Sequence, residues 1–378
     1  MDILPPVTEK VAPLRYRLDK HATADALRKL EDLRWLFDNL GLDPRYRDWF
    51  RHRAWIRTIQ GTTRIEGNSL NDLEVEEVLE RMPATRSKDA LEVVASRAAL
   101  AFVDEVAGDA KLRIDERVIR EIHKRVIDDI DPMLRPGEYR KGENRVGDAN
   151  GEIIFTTALS GDVPDVMHRL GAWLQRGAGG EHAAVAAALA HLELVAIHPF
   201  HDGNGRTARA LSRLLLVHDG FALDGLVSLD AYLDLQRRAY FAAIRESLGS
   251  SYKPGYDATP FVSYFLEAIN GAAEHVLSRI GGTTELLRVL RAAVATEEIP
   301  ARLTDPLVYA WVNGSIRPAD YIDISRRTGP SASRDLAHAV RAGYLIATGE
   351  TQARRYQLGP KLVAVKPVPI KVRQSTRS

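Results

Sequence analysis

The chain has no cysteine in 378 residues, so disulfides, iron–sulfur clusters, thiolate zinc sites and cysteine nucleophiles are excluded by inventory, and a reducing compartment is the natural setting. Long apolar runs are missing too. The longest, Ala183 to Ile197, is interrupted by His191 and Glu193. It falls short of the ~20 residues a membrane span needs, so it reads as a core helix and no membrane partner is expected. The N-terminal Met1-Asp2-Ile3-Leu4-Pro5-Pro6 has an acid and two prolines where a secretory signal would show basic residues and an apolar run; a cytoplasmic location is expected. No internal repeat or low-complexity block occurs. There is no Gly-Lys-Ser/Thr and no His-Glu-x-x-His, so P-loop NTPases and zinc proteases lack their central residues. Charge of one sign is scarce overall, with a net of +1, but it is unevenly placed. From Ala301 onward 13 Lys and Arg stand against 5 Asp and Glu, a surplus of eight that leaves −7 for the remainder. Such asymmetry suits a C-terminal part that meets an anionic partner.

What is present is a chain 45% hydrophobic, long enough for two or three domains and a sizeable core. Residues 1–20 are aperiodic and contain proline; they read as a loosely held arm. From Ala22 apolar residues recur at three and four, through Ala26, Leu27, Leu30, Leu33, Leu36 and Phe37. Further helices are predicted over Arg45–Ile65, Asn71–Arg81 and Lys88–Val106, making residues 21–110 an N-terminal helical region. Helices are also predicted over Asp115–Ile127, His182–Ile197 and Thr207–His218, then from about Asp230 to Leu248 and from Thr259 to Ile280. Residues 111–282 form the central core, and Gly281-Gly282 marks its expected end. Beyond it, helices at Tyr321–Ser325 and Ser331–Ala342 precede two short strands, Gly343–Ile346 and Arg355–Leu358, around Gly349. That order predicts a winged helix-turn-helix over 283–365, followed by a basic tail at 366–378. The predicted fold class is mainly α, with a small β-hairpin and this α+β module appended.

The hairpin is predicted at Asn144 to Phe155, where Asn150-Gly151 separates two short β-prone runs. The densest chemistry lies at His198-Pro199-Phe200-His201-Asp202-Gly203-Asn204-Gly205-Arg206-Thr207-Ala208-Arg209. Pro199 and the two glycines end one helix just before another begins. Successive backbone N–H groups at a helix start make an anion nest, and Arg206 and Arg209 add fixed positive charge. Asp202 can hold Mg²⁺ that also touches phosphate oxygens. His198 can take a proton from an attacking hydroxyl, since imidazole titrates near neutral pH. Each feature alone is ordinary: a helix-end His, a Gly-Asn-Gly turn, two solvated arginines. Together, after an apolar helix, they make a phosphoryl- or nucleotidyl-transfer arrangement. A rival takes His201-Asp202 as the metal dyad of a phosphohydrolase, but Gly203 would break the helix that dyad needs.

His198 to Arg209 resembles the Fic signature His-x-Phe-x-Asp/Glu-Gly-Asn-Gly-Arg-x-x-Arg at every specified position. The resemblance implies an all-helical core and transfer of AMP from ATP, with Mg²⁺, onto a Ser, Thr or Tyr hydroxyl. It makes His198 the general base, Asp202 the Mg²⁺ ligand, Asn204 a phosphate contact, and Gly203 and Gly205 the nest. Arg206 and Arg209 would hold the β- and γ-phosphates. The hairpin is similar to the family's flap, which pins a target segment by strand addition, and Pro136-Gly137-Glu138-Tyr139-Arg140 resembles its lead-in. Gln236-Arg237-x-x-Tyr240-Phe241 is similar to an Asn-Arg-x-x-Tyr-Tyr stretch whose Asn faces the nucleotide, with Gln236 and Phe241 departing from it; Gln236 and Tyr240 are the nucleotide-facing candidates. Thr62-Thr63-Arg64-Ile65-Glu66-Gly67-Asn68 resembles the inhibitory motif, so Glu66 is expected to pair with Arg209. The alternatives left open are a DNA-binding regulator with the core as sensor, and removal of AMP by the same site. Candidate partners are ATP, a target protein docked on the flap, DNA at the winged helix, where acidic Asp335 counts modestly against tight contact, and a second copy of the chain.

Overall fold

The computed structural model describes residues 14–81, 87–109, 111–131, 133–147, 153–349 and 354–368. In chain order the first elements are β1 (Tyr16–Arg17), α1 (Lys20–Asp38), α2 (Pro44–Ile65), α3 (Asp72–Glu80), α4 (Lys88–Ala107), α5 (Glu116–Val126), β2 (Arg145–Gly147) and β3 (Ile153–Thr156). They continue with α6 (Val163–Gln175), α7 (Ala183–Ile197), α8 (Asn204–His218), α9 (Leu229–Leu235), α10 (Arg237–Leu248), β4 (Tyr256–Asp257) and α11 (Thr259–Ala295). Last come α12 (Thr304–Asn313), β5 (Ser315–Ile316), α13 (Pro318–Ser325), α14 (Gly329–Arg341), β6 (Leu345–Thr348), β7 (Arg355–Leu358) and α15 (Pro360–Val363). The fold is mainly α. No helix among the described residues is long and apolar enough to cross a membrane.

The described residues fall into two compact units. The first gathers residues up to Arg34, Ile56–Leu223 and Ser228–Gly271; the second holds Trp35–Trp55, Asp224–Val227 and the chain from Ala272. At the centre of the first unit is α7, buried on all sides because its sequence is apolar on all sides. Leu189, Leu192, Leu194 and Ile197 are fully buried, each worth about 1.5–3 kcal/mol over exposure. Helix α8 packs against α7, α4 and α5. Helix α5 starts where Asp115 caps it, its side chain accepting from Arg117 and Val118 N–H at 2.9 and 3.2 Å. It buries one stripe, Ile119, Ile122, His123 and Val126, against its neighbours.

Three sequence expectations change here. The N-terminal arm is held at its described end: Tyr16–Arg17 pairs in parallel with Tyr256–Asp257, and residues 1–13 lie outside the described residues. The helix predicted over Asp230–Leu248 is two helices, because Gln236 leaves helical geometry at φ −100, ψ 25. Helix α11 does not stop at Ile280 but runs through Gly281-Gly282 to Ala295. A Cβ at Gly282 would lie 2.9 Å from the Trp311 ring, so this glycine serves close packing rather than a chain break.

In the second unit, α12, α13 and α14 stand with a three-stranded antiparallel sheet of order β5-β7-β6. Residues Arg326 to Thr328 turn the chain between α13 and α14. Asp335 of α14 points inward, accepting two bonds from Arg302 at 2.8 and 2.7 Å and one from the Tyr321 hydroxyl at 2.5 Å. The acid that counted against an anionic partner is therefore neutralised inside the unit. Of the tail, only residues up to 368 are described.

Candidate active site

Helix α7 delivers His198 to the loop. Its backbone is left-handed, φ 54 and ψ 57, closing the helix with an N–H bond to the Leu194 carbonyl at 2.9 Å. A residue with a Cβ resists that geometry, so surroundings must hold it. Arg140 does so: its Nε donates to the His198 carbonyl at 2.8 Å, and its own N–H donates to the Pro199 carbonyl at 2.9 Å. The same guanidinium donates to the Gly142 carbonyl at 2.8 Å, to Thr157 Oγ1 at 3.1 Å and to the Ala158 carbonyl, so it also fixes the base of the hairpin. Burial lowers the His198 pKa to about 4, against the pull of the Glu66 and Asp202 carboxylates. The ring is thus neutral at neutral pH and able to accept a proton.

The loop is folded back on α5. Phe200, fully buried, stacks on the His123 ring at 3.6 Å between centroids. Gly137 N–H donates to His123 Nδ1 at 3.0 Å, which leaves the proton on Nε2 to donate to the Asp202 carbonyl at 3.0 Å. Asn204 spends both ends of its side-chain amide on Phe200, accepting from its N–H and donating to its carbonyl, each at 2.9 Å. This clamp shapes the loop. Gly203, at φ +77, fits a position where a Cβ would lie 2.7 Å from Ile127. Helix α8 then opens with no side-chain cap, and its first amides remain for an anion. Arg206 is buried beside them, 3.8 Å from Glu92 and 3.7 Å from Asp202. Its Nε and Nη1 are buried without hydrogen bonds.

Arg209 is committed. Its Nε donates to Thr62 Oγ1, and its Nη2 donates to the Thr62 carbonyl and to Glu66 Oε1, all at 2.8 Å. Burial alone would lower its pKa, but Glu66, Tyr240 and Asp230 outweigh that and raise it. The Glu66 carboxylate also covers Gly205, where a Cβ would overlap its Oε1. The end of α2 reaches this place because Gly61 lets it approach α9: a Cβ there would lie 2.6 Å from Asp230 and Ala231 backbone atoms. Tyr240 is 1% exposed, its hydroxyl bonded to His191 Nε2 at 2.7 Å. It lies in the core beside Arg209, while Gln236 is exposed at the α9–α10 break.

In the hairpin, Arg145 stands opposite Thr156, Val146 opposite Phe155 and Gly147 opposite Ile153; the turn at 148–152 lies outside the described residues. The outer edge of β3 already has a partner. Thr156 N–H donates to the Ser250 carbonyl at 2.9 Å, and Tyr252 N–H to the Thr156 carbonyl at 2.8 Å.

Residues 113–216 match the model of the Fic/DOC family. The chain carries a Fic domain. It is 33% identical over 172 residues to protein adenylyltransferase Fic of Aedes aegypti, covering 44% of this chain and 33% of that one. The chain thus spans about a third of the length of the curated relatives it matches. Among solved structures, a Fic family protein from Desulfovibrio desulfuricans superposes with TM-score 0.58 at 21% identity, over 92% of this chain and 99% of that one. Fic-1 from C. elegans superposes with TM-score 0.56 at 26% identity, over 68% and 72%.

Three residues that hold the Fic site together escaped the sequence reading of roles: His123, Arg140 and Glu92. His123 and Arg140 lie outside the signature, and their bonds are to backbone groups far along the chain, which no local pattern discloses. Glu92, 6% exposed, accepts from Asn68 Nδ2 at 2.9 Å and so links the residues after Glu66 to Arg206. No group of three or more His, Asp or Glu among the described residues could hold a metal by protein ligands alone. The donor set fits Mg²⁺ in another way: Asp202 offers one carboxylate, 44% exposed, beside an arginine whose buried Nε and Nη1 make no hydrogen bond, and Mg²⁺ is commonly shared between one or two carboxylates and phosphates.

Proposed function

We propose that this Fic domain transfers AMP from ATP to a hydroxyl of a protein. The observation that carries the reading is the juxtaposition of a neutral, backbone-strained His198 with the uncapped start of α8 and the buried Arg206 guanidinium, whose Nε and Nη1 make no hydrogen bond. The amides and Arg206 would cradle the phosphates. Asp202 would hold Mg²⁺, which supplies charge neutralisation on the phosphate oxygens when bound. The target's hydroxyl oxygen attacks the α-phosphorus, the bond from that phosphorus to the oxygen bridging to the β-phosphorus breaks, and pyrophosphate leaves. The hydroxyl proton goes to His198. Supporting the reading is the likeness to relatives named as protein adenylyltransferases.

Glu66 inhibits this site in the same proposal. Its carboxylate uses an Arg209 donor and covers Gly205, the ground that the terminal phosphates would take. The test is incubation of purified chain with ATP labelled at the α-phosphate, as wild type, Glu66→Gly and Glu66→Gly with His198→Ala. Label should become protein-bound in the second and not in the third; protein-bound label independent of His198 would overturn the assignment.

A second reading concerns the C-terminal unit, where we infer a winged helix-turn-helix that binds duplex DNA through α14. The favouring observation is the inward Asp335, while Arg334 and Arg341, seven apart on α14, are both exposed. The Arg354 guanidinium, over the Tyr356 ring, adds charge beside β7. Fluorescence anisotropy with labelled duplex DNA should show binding that weakens steeply with salt.

A further inference from the structure

Glu193 sits in the middle of the most apolar helix of the chain, five residues before His198. It is 2% exposed, and burial raises its pKa although two tyrosine hydroxyls oppose the rise. Its neighbours Leu192 and Leu194 show what the position would hold if filling space were its only purpose. Burying a carboxyl is costly unless each oxygen is hydrogen-bonded. Here each is. The Tyr252 hydroxyl donates to Oε1 at 3.0 Å, and the Tyr256 hydroxyl donates to Oε2 at 2.6 Å.

These two tyrosines are the ends of a strap. At one end, Ser250 and Tyr252 bond the two backbone groups of Thr156 and so form a single parallel β-bridge on the outer edge of β3. At the other, Tyr256 pairs with Tyr16 in the β1–β4 ladder. Glu193 therefore joins the segment that backs the hairpin to the same rigid helix that ends in His198. A hydroxyl presented by the hairpin must meet that imidazole within hydrogen-bond reach, and an error of ~1 Å can cost on the order of 10²-fold in rate.

We propose that Glu193, acting through Tyr252, is a positioning residue that sets the hairpin's place relative to His198 and so governs delivery of the acceptor hydroxyl. The inference rests on the AMP-transfer reading for its catalytic consequence, and on the geometry alone for its mechanical one. Two readouts separate them, both on the full chain carrying Glu66→Gly. The mechanical readout is amide hydrogen exchange in peptides covering β3 and Ser250 to Tyr252. Tyr252→Phe keeps the ring and deletes one bond to Glu193, and exchange there should quicken about tenfold, the scale of one lost bond to a charged group. The catalytic readout is the partition of α-labelled ATP between AMP released to water and AMP attached to the chain's own hydroxyls.

Tyr252→Phe should shift that partition toward water about fivefold to tenfold, while the Kd for ATP, measured by calorimetry, stays within twofold. Glu193→Gln, which can still accept from one hydroxyl, should fall between parent and Tyr252→Phe in both readouts. Unchanged exchange in β3 overturns the strap. A parallel loss of ATP affinity and of labelling overturns the positioning role, since it would mean general loosening. Should the Glu66→Gly parent attach no AMP at all, the AMP-transfer reading fails, and the exchange result still decides whether Glu193 places the hairpin.

Discussion

Replacing Glu66 by glycine perturbs one contact with two separable components. The first is charge: an Arg–carboxylate hydrogen bond at 2.8 Å, with the Arg209 side chain 1% and the Glu66 side chain 37% exposed. Hydrogen bonds to charged groups contribute ~1.5–3 kcal/mol, and the partial exposure of Glu66 places this one at the low end. A triphosphate that must displace it therefore binds productively about tenfold less well, since ~1.4 kcal/mol is a factor of ten. The second component is space, because Glu66 Oε1 lies over Gly205 where phosphate oxygens would sit. A misplaced α-phosphate of ~1 Å adds on the order of 10² in rate. Glu66→Gly should then raise AMP attachment by roughly 10³, the product of the two. Glu66→Gln keeps the shape and loses the charge, so it should recover only about the first tenfold. Arg209 remains fixed by its two bonds to Thr62, so neither variant should unfold the site. The assay is protein-bound label from α-labelled ATP at equal enzyme concentration, with self-modification as the first product. Equal labelling by wild type and Glu66→Gly would refute the reasoning and make Glu66 an ordinary helix-end residue.

Other outcomes follow from the same structure. His198→Ala in the Glu66→Gly background should lower labelling by ~10²–10⁴ with the ATP Kd unchanged, because the base goes and the cradle stays; a matching rise in Kd would contradict that division. Burial lowers the His191 pKa to about 3, so the ring is neutral in the fold and its stabilisation is present above about pH 6.5 and lost as pH falls toward 3. Urea melts at pH 7.5 and pH 5 should show the stability gap between wild type and His191→Gln narrowing by roughly 2 kcal/mol; a constant gap would count against a neutral His191. For the C-terminal unit, Arg334→Glu with Arg341→Glu should weaken duplex DNA binding and flatten its salt dependence by about two phosphate contacts, whereas an unaltered slope would remove α14 from the interface.

The helices were legible where periodicity was strong: α4, α5 and α7 lie within a residue or two of their predicted ends. So was the loop, because its chemistry is concentrated in twelve adjacent residues. The pairing of Glu66 with Arg209 came from resemblance, since nothing in the sequence near either residue says that they meet. The illegible parts share a physical cause. Gly281-Gly282 looks like a chain break in sequence, but Gly282 makes room for Trp311. The Tyr240 hydroxyl turns to His191, 49 residues away in the chain. Asp335 looks like a repelling surface charge, but it is the anchor of Arg302 and Tyr321. In each case the residue type is informative and the direction in which it points is decided by a partner far away in the chain.

The surroundings of Arg209 bear on how the proposed inhibition by Glu66 would be relieved. A buried guanidinium needs a counter-charge, and here two anions are at hand, Glu66 by direct contact and Asp230 by its field. Burial raises the Asp230 pKa, with Arg209 and Arg213 opposing the rise, so Asp230 is the weaker of the two as a permanent anion. Arg213 is meanwhile turned toward Asp104, bonded at 2.9 and 3.1 Å. Glu66 is thus the direct counter-charge of Arg209, and in the proposed reaction an arriving phosphate would replace one anion by another rather than create a charge in the core. Such an exchange needs a carboxylate that can leave without unwinding its helix. Glu66 lies just past the end of α2 and is followed by Gly67 at φ +101, while Asn68 is tied separately to Asp89 and Glu92. Departure of the Glu66 carboxylate would therefore break one hydrogen bond of the Arg209 guanidinium, while the two to Thr62 keep it in place.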